Sequence, residues 1–178
     1  ENSTKKRRPL GVGIINFAYW LAKNNLTYQH IDASGLCLVD EWAEAWSYYL
    51  IKASADLAIE QGAPSGNLET KYGHGITPNQ TYKKDLDDLI PHVERMDWNK
   101  LREQLKEHGI RNSTLMALMP AETSAQIANA TNGIEPPRAY ISVKQSKHGV
   151  LKQVVPEYKK LKNKYDLLWD QESPEGYL

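Results

Sequence analysis

The chain has 178 residues, 22 Lys plus Arg against 22 Asp plus Glu, and hydrophobic and charged fractions of 40% and 25%. That composition suits a globular domain with a core of its own, and zero net charge removes any global electrostatic reason to expect nucleic-acid binding. No apolar stretch approaches the roughly 18–20 residues needed to cross a bilayer, and a single cysteine cannot close an internal disulfide, which fits a reducing cytoplasm. The basic run Lys5-Lys6-Arg7-Arg8 reads as a solvated segment.

Gly11 to Lys23 places Val12, Ile15, Tyr19 and Ala22 on one face and predicts a helix. Asp40 to Gln61 is the strongest helix signal. Asp40 and Glu41 suit the positive end of a helix dipole, and Gly62 suits its C-terminal cap. Trp42, Trp46, Tyr49, Ala53 and Leu57 recur there at helical spacing, the pattern of a core-facing stripe. Thr81 to Ile90 predicts a short helix ended by Pro91. Asp97 caps a helix carrying Trp98, Leu101 and Leu105, which stops at Gly109. Residues 113–119 read as a buried strand: short, apolar and followed by Pro120.

Pro120-Ala121-Glu122-Thr123-Ser124 leads from that strand into a short helical stretch from Ala125 to Thr131. The first turn of a helix leaves N–H groups unpaired and carries partial positive charge. A phosphate can accept those groups together with the Thr123 and Ser124 hydroxyls. Thr123 or Ser124 acting simply as a helix cap is the other reading, and sequence physics leaves both open. Residues 139–155 read as a hairpin, with Tyr140, Ser142 and Lys144 alternating with Ile141 and Val143 and a turn at Lys147-His148-Gly149. A last helix is expected from Pro156 past Tyr158, Leu161, Tyr165 and Leu168 to Asp170. Helices alternating with isolated strands indicate an α/β arrangement. The Pro and Gly clusters at 62–66, 73–78 and 133–137 are too short to be linkers, so residues 1–178 are expected to form one section.

Other chemistry-bearing residues carry little signal. The histidines at 30, 74, 92, 108 and 148 show no metal-ligand spacing. Gly11-x-Gly13 lacks the third glycine and the preceding strand of a dinucleotide fingerprint. Asp87, Asp88 and Glu122 are possible acids or bases with no partner at a readable distance. Cys37 reads as an ordinary, partly buried thiol.

The run MPAETSAQIANATNGIEPPR resembles a stretch of the large, catalytic subunit of class I ribonucleotide reductases of the bacterial and phage type. RRPLGVGIINFAYWLAKN, KASADLAIEQGA, TYKKDLDDL, LREQLKEHGIRNSTL and YISVKQSKHGVLKQVVPEY resemble the same family in the same order. The resemblance implies a section of a ten-stranded α/β barrel, incomplete by itself. It also implies that Pro120, Ala121, Glu122, Thr123 and Ser124 form the loop that holds the substrate diphosphate. Ala121 stands where that type often has Ser, so one side-chain hydroxyl is missing.

The implied activity is reduction of ribonucleoside diphosphates to 2'-deoxyribonucleoside diphosphates by thiyl-radical chemistry. No catalytic residue, metal or cofactor is expected on this section. The radical cysteine of the family is flanked by Asn two residues before and Glu two after; Cys37 has Gly35 and Val39 there and is not assigned that role. Tyr48-Tyr49 is not the family's radical-transfer tyrosine pair and reads as packing. The partners implied are the remaining sections of the large subunit, a small radical-generating, metal-containing subunit, a thiol reductant and the nucleoside diphosphate; nucleic acid and membrane are not. A split or truncated subunit, inactive alone, is expected. A stand-alone phosphate-binding relic and a purely structural assembly fragment are the alternatives.

Overall fold

In a computed structural model, residues 1–28, 31–91, 93–147 and 149–165 are described. They form seven α-helices, α1 (Asn2–Arg7), α2 (Phe17–Lys23), α3 (Ala33–Gln61), α4 (Pro78–Thr81), α5 (Trp98–His108), α6 (Glu122–Ile127) and α7 (Tyr158–Tyr165), with strands β1 (Ile141–Ser146) and β2 (Gly149–Val154). Short 3-10 turns occupy Asn67–Glu69, Tyr72–His74 and Lys84–Asp88. The chain divides into two compact units. One comprises residues 1–12 and 33–117, the other residues 13–32 and 118–178.

The first unit is built on α3 and α5. Ile51 and Ala55 of α3 meet Trp98, Leu101 and Leu105 of α5, and Ile110 and Leu115 close the cluster. The α5 boundaries follow the sequence. The Asp97 carboxylate accepts the N–H of Lys100, and Gly109 ends the helix at φ 76°. Gly62 likewise ends α3, at φ 78°.

Several expectations are corrected here. The α3 helix begins at Ala33 rather than Asp40, so Asp40 lies inside it and pairs with Arg95 at 2.7 Å instead of serving the helix dipole. Its buried face is Ile51, Ser54, Ala55 and Ala58. The aromatic stripe faces elsewhere: Trp42 and Trp46 stack at 5.9 Å and are half-buried, while Tyr49 is 60% exposed. Periodicity finds an apolar face but does not say whether a partner within the chain covers it. Tyr48 does pack, edge-on against Trp98 at 5.2 Å. Thr81 to Ile90 is not one helix. A capping box formed by Thr77 and Gln80 starts α4 early, with Pro78 at its first turn, and the chain then resumes as a 3-10 turn.

The helix expected over Gly11 to Lys23 starts only at Phe17. The preceding backbone is spent on pairing. Leu10 N–H donates to Thr114 O (3.0 Å), Val12 N–H to Leu115 O (2.7 Å), and Ala117 N–H to Val12 O (3.0 Å), forming a parallel bridge between Val12 and Met116. The strand expected over 113–119 is reduced to that bridge, because Leu118 is 65% exposed and no further strand lies beside it among the described residues.

The second unit has its own core of Ala18, Leu21 and Ala22 from α2 with Val155 and Tyr165. Burial pushes the Tyr165 phenol up, and its hydroxyl donates to Pro156 O at 2.9 Å. The hairpin expected over 139–155 is present, pairing Ile141 with Val154 and Ser146 with Gly149. His148 of its turn lies outside the described residues. So do Leu168 and Asp170 at the far end of the last expected helix. That helix starts at Tyr158 rather than Pro156, because Glu157 takes φ 50°.

Candidate functional site

The stretch from Pro120 to Ser124 belongs to the second unit. The helix begins at Glu122, not Ala125, with Ala121 at the N-cap and no side-chain cap. Thr123 and Ser124 therefore sit within the first turn, both exposed, and the expectation that one of them caps the helix is not met. The first intrahelical bond runs from Ala125 N–H to Ala121 O at 2.8 Å. Among the described residues, neither the backbone N–H groups of Glu122, Thr123 and Ser124 nor the two hydroxyls have a protein acceptor. Three amides and two hydroxyls thus converge on one exposed turn.

Ala121 differs from the others. Its N–H donates to Oδ1 of Asn132 at 2.7 Å, so this amide holds the loop rather than facing a ligand. Asn132 follows Thr131, whose N–H donates to Oδ1 of Asn16 at 3.0 Å, while Asn16 N–H donates to Thr131 O at 2.8 Å. Asn16 sits at φ 73°, a conformation Asn tolerates better than most residues. Two asparagines distant in sequence therefore position the loop, and no local spacing announces them.

Glu122 is turned aside. Its carboxylate pairs with the Lys144 ammonium from β1. Lys144 first, with Arg138 more weakly, holds the Glu122 carboxyl below the usual glutamate range. Behind the loop lies a cavity of about 310 Å³ whose lining includes Glu122, Ala125, Thr131, Arg138, Lys144 and Gln153. Thr131 is 5% exposed there, and its hydroxyl has no partner among the described residues. Gln153 Nε2 donates to Ala130 O at 2.8 Å and so ties β2 to the segment after α6. Lys144 and Arg138 were not legible as site residues, since alternation along a strand does not say which face meets the loop.

Cys37 lies half-buried on α3, as expected. Among the described residues, no group of three His, Cys, Asp or Glu is placed to hold a metal ion, and no helix is long and apolar enough to cross a membrane.

Residues 1–174 match the family model of the ribonucleotide reductase barrel domain. The chain is 58% identical over 172 residues to ribonucleoside-diphosphate reductase 1 subunit alpha of Salmonella typhimurium, covering 97% of this chain and 22% of that protein. The corresponding Escherichia coli protein is 56% identical over the same coverage of each. The alpha subunit of Enterobacteria phage T4 is 47% identical over 93% of this chain and 21% of the relative. The chain thus spans about a fifth of the length of the curated relatives it matches. Helix-rich with one small sheet among its described residues, and matched along nearly its whole length, the chain belongs to the ribonucleotide reductase family as a section of its α/β barrel domain.

Proposed function

We propose that residues 1–178 act as one section of the catalytic subunit of a ribonucleoside-diphosphate reductase, contributing the substrate diphosphate loop Pro120–Ser124. The observation that carries this reading is the exposed first turn of α6. There the N–H groups of Glu122, Thr123 and Ser124 and two hydroxyls lack acceptors among the described residues, while Asn132 and Lys144 restrain the flanking Ala121 and Glu122. Pairing with Lys144 neutralises the carboxylate that would otherwise repel a phosphate. Pro120 leads the chain into the turn, and Ala121 contributes no hydroxyl.

The reaction is reduction of the ribose of a nucleoside diphosphate. The radical originates on a small, metal-containing subunit, electrons come from a thiol reductant, and the reactive cysteines come from the remaining sections of the large subunit. This section binds and orients the diphosphate and supplies none of that redox chemistry. A single cysteine fits a reducing compartment, and the cytoplasm is proposed here.

Binding of a nucleoside diphosphate, compared with the matching nucleoside, tests the proposal in the subunit completed with its remaining sections. Thr123→Ala and Ser124→Ala should each weaken diphosphate binding by roughly tenfold, the loss of one hydrogen bond to a charged group. Nucleoside binding should be unaffected. Diphosphate affinity unchanged from the parent in both variants would leave the turn a helix start with no ligand role.

A further inference from the structure

The two faces of the hairpin differ in composition. Ser142, Lys144 and Gln153 share one face with Leu151, which is 49% exposed; on that face Lys144 pairs with Glu122 and Gln153 donates to Ala130 O. Alternate residues of a strand point to the opposite face. Those are Ile141, Val143, Val150 and Val154, which are 53%, 60%, 61% and 39% exposed. The register sets Ile141 opposite Val154 and Val143 opposite Lys152, so the aliphatic side chains form one outward patch with a lysine in it. An exposed apolar patch of this kind marks an interaction surface.

The backbone is also available. Val155 N–H donates to Tyr140 O at 2.9 Å, which makes these two a hydrogen-bonded pair. Antiparallel alternation then points the N–H and C=O groups of Ile141, Val143 and Gln145 outward on one edge and those of Val150, Lys152 and Val154 outward on the other. Among the described residues no third strand pairs with either edge.

Charge selects the occupant. Residues 138–165 carry eight Lys or Arg and a single acid, Glu157, within a chain of zero net charge. Strands β1 and β2 contain no carboxylate, and Lys147 and Lys152 are exposed. Two copies of this face would repel each other. The patch is aliphatic, with no aromatic side chain on which a nucleic-acid base could stack.

We propose that the outward face of the β1–β2 hairpin docks an acidic, extended segment of another polypeptide, which adds as a strand along a free edge and sets apolar side chains against Val143 and Val150 and carboxylates against Lys147 and Lys152. The segment is recognised by backbone pairing, alternate apolar side chains and negative charge. None of these four residues belongs to the diphosphate loop, so the two readings fail separately.

The probe is a fluorescein-labelled peptide of alternating valine and glutamate, titrated with the purified chain and followed by anisotropy. Controls are a peptide of alternating valine and lysine and an oligothymidylate. The glutamate peptide should bind, and binding should weaken as salt is raised. Lys147→Glu with Lys152→Glu, and separately Val143→Ser with Val150→Ser, should each weaken it by roughly tenfold or more. All four positions are exposed, and circular dichroism with a thermal melt reports whether each variant keeps the parent's fold. Lys147→Gln with Lys152→Gln provides a milder second pair, expected to lie between parent and reversal.

Several results would overturn the proposal. One is equal binding of the lysine peptide; another is tighter binding of the oligothymidylate. Self-association abolished by the valine replacements would make a second copy the occupant. Absence of glutamate-peptide binding counts equally against it.

Discussion

Trp98 donates its indole N–H to Oε1 of Glu44 at 2.8 Å, joining α5 to α3 across 54 residues of sequence. The same carboxylate accepts the backbone N–H groups of Arg95 (2.7 Å) and Met96 (3.1 Å) and the Arg95 guanidinium (3.1 Å). Its side chain is 8% exposed, and Trp98 is 1% exposed. The node fixes where α5 begins relative to α3 within the first unit. Glu44→Ala would strand the buried Trp98 indole N–H and the half-buried Met96 N–H, and we expect it to cost roughly 3 kcal/mol in urea unfolding. Glu44→Gln keeps an acceptor and should cost less.

The same node predicts a pH dependence. Burial alone pushes the Glu44 carboxyl up, but the donors from Trp98, Met96 and Arg95 outweigh it and hold the group below its ordinary value. A carboxyl depressed in the folded state contributes stability that is complete above its unfolded pKa and is lost as pH falls through the folded value. Stability should therefore decline below about pH 4.3 in the parent, and the decline should be shallower in Glu44→Gln. Urea midpoints measured across that acid range check the difference in slope.

Gly109 is the second point of stress. It ends α5 at φ 76°, and a Cβ there would lie 2.6 Å from the side-chain nitrogen of Asn67. Asn67 cannot simply move, because its Oδ1 accepts the N–H of Ile110 at 3.0 Å. Gly109→Ala combines backbone strain with that clash and should destabilise by roughly 2 kcal/mol or more. Gly62 takes a similar φ with nothing near its missing side chain. Gly62→Ala should therefore cost less in the same thermal melt.

Asn132 holds the Pro120–Ser124 turn, the loop proposed to bind diphosphate, through the Ala121 N–H. Removing its acceptor with Asn132→Ala frees the Ala121 N–H and should let the turn shift. In the completed subunit, diphosphate affinity should fall by roughly tenfold while nucleoside affinity holds. A loss shared equally by diphosphate and nucleoside would instead indicate general damage to the unit.

Cys37 is a bystander on α3 in this reading. Cys37→Ser in the reconstituted enzyme should leave turnover within about twofold, as expected for a half-buried position away from chemistry. The isolated chain should reduce no nucleotide, because one thiol cannot serve as both radical carrier and redox pair. Turnover by this chain alone above background would reverse the assignment.

Elements whose signals are local were legible in the residues. Asp97 and Gly109 bound α5, Gly62 ends α3, and the alternation from Ile141 onward marks the hairpin, because caps and pleat depend on neighbours a few positions away. The family could be read from the run around Pro120–Ser124 for the same reason: the motif is contiguous. Features that depend on distant partners were not legible. Gly11–Asn16 looks helical until Val12 exchanges hydrogen bonds with Leu115 and Ala117, and the Trp42–Trp46 stripe looks like core until α5 packs on the other face of α3. The sequence by itself determined where α3 and α5 stop, that residues 139–155 hold a hairpin, and which family the chain belongs to. Only the tertiary structure decided that Ala121 is held by Asn132, that Glu122 is paired with Lys144, and that Ile141, Val143 and Val150 stay exposed, because burial and pairing are set by contacts between residues far apart in the chain.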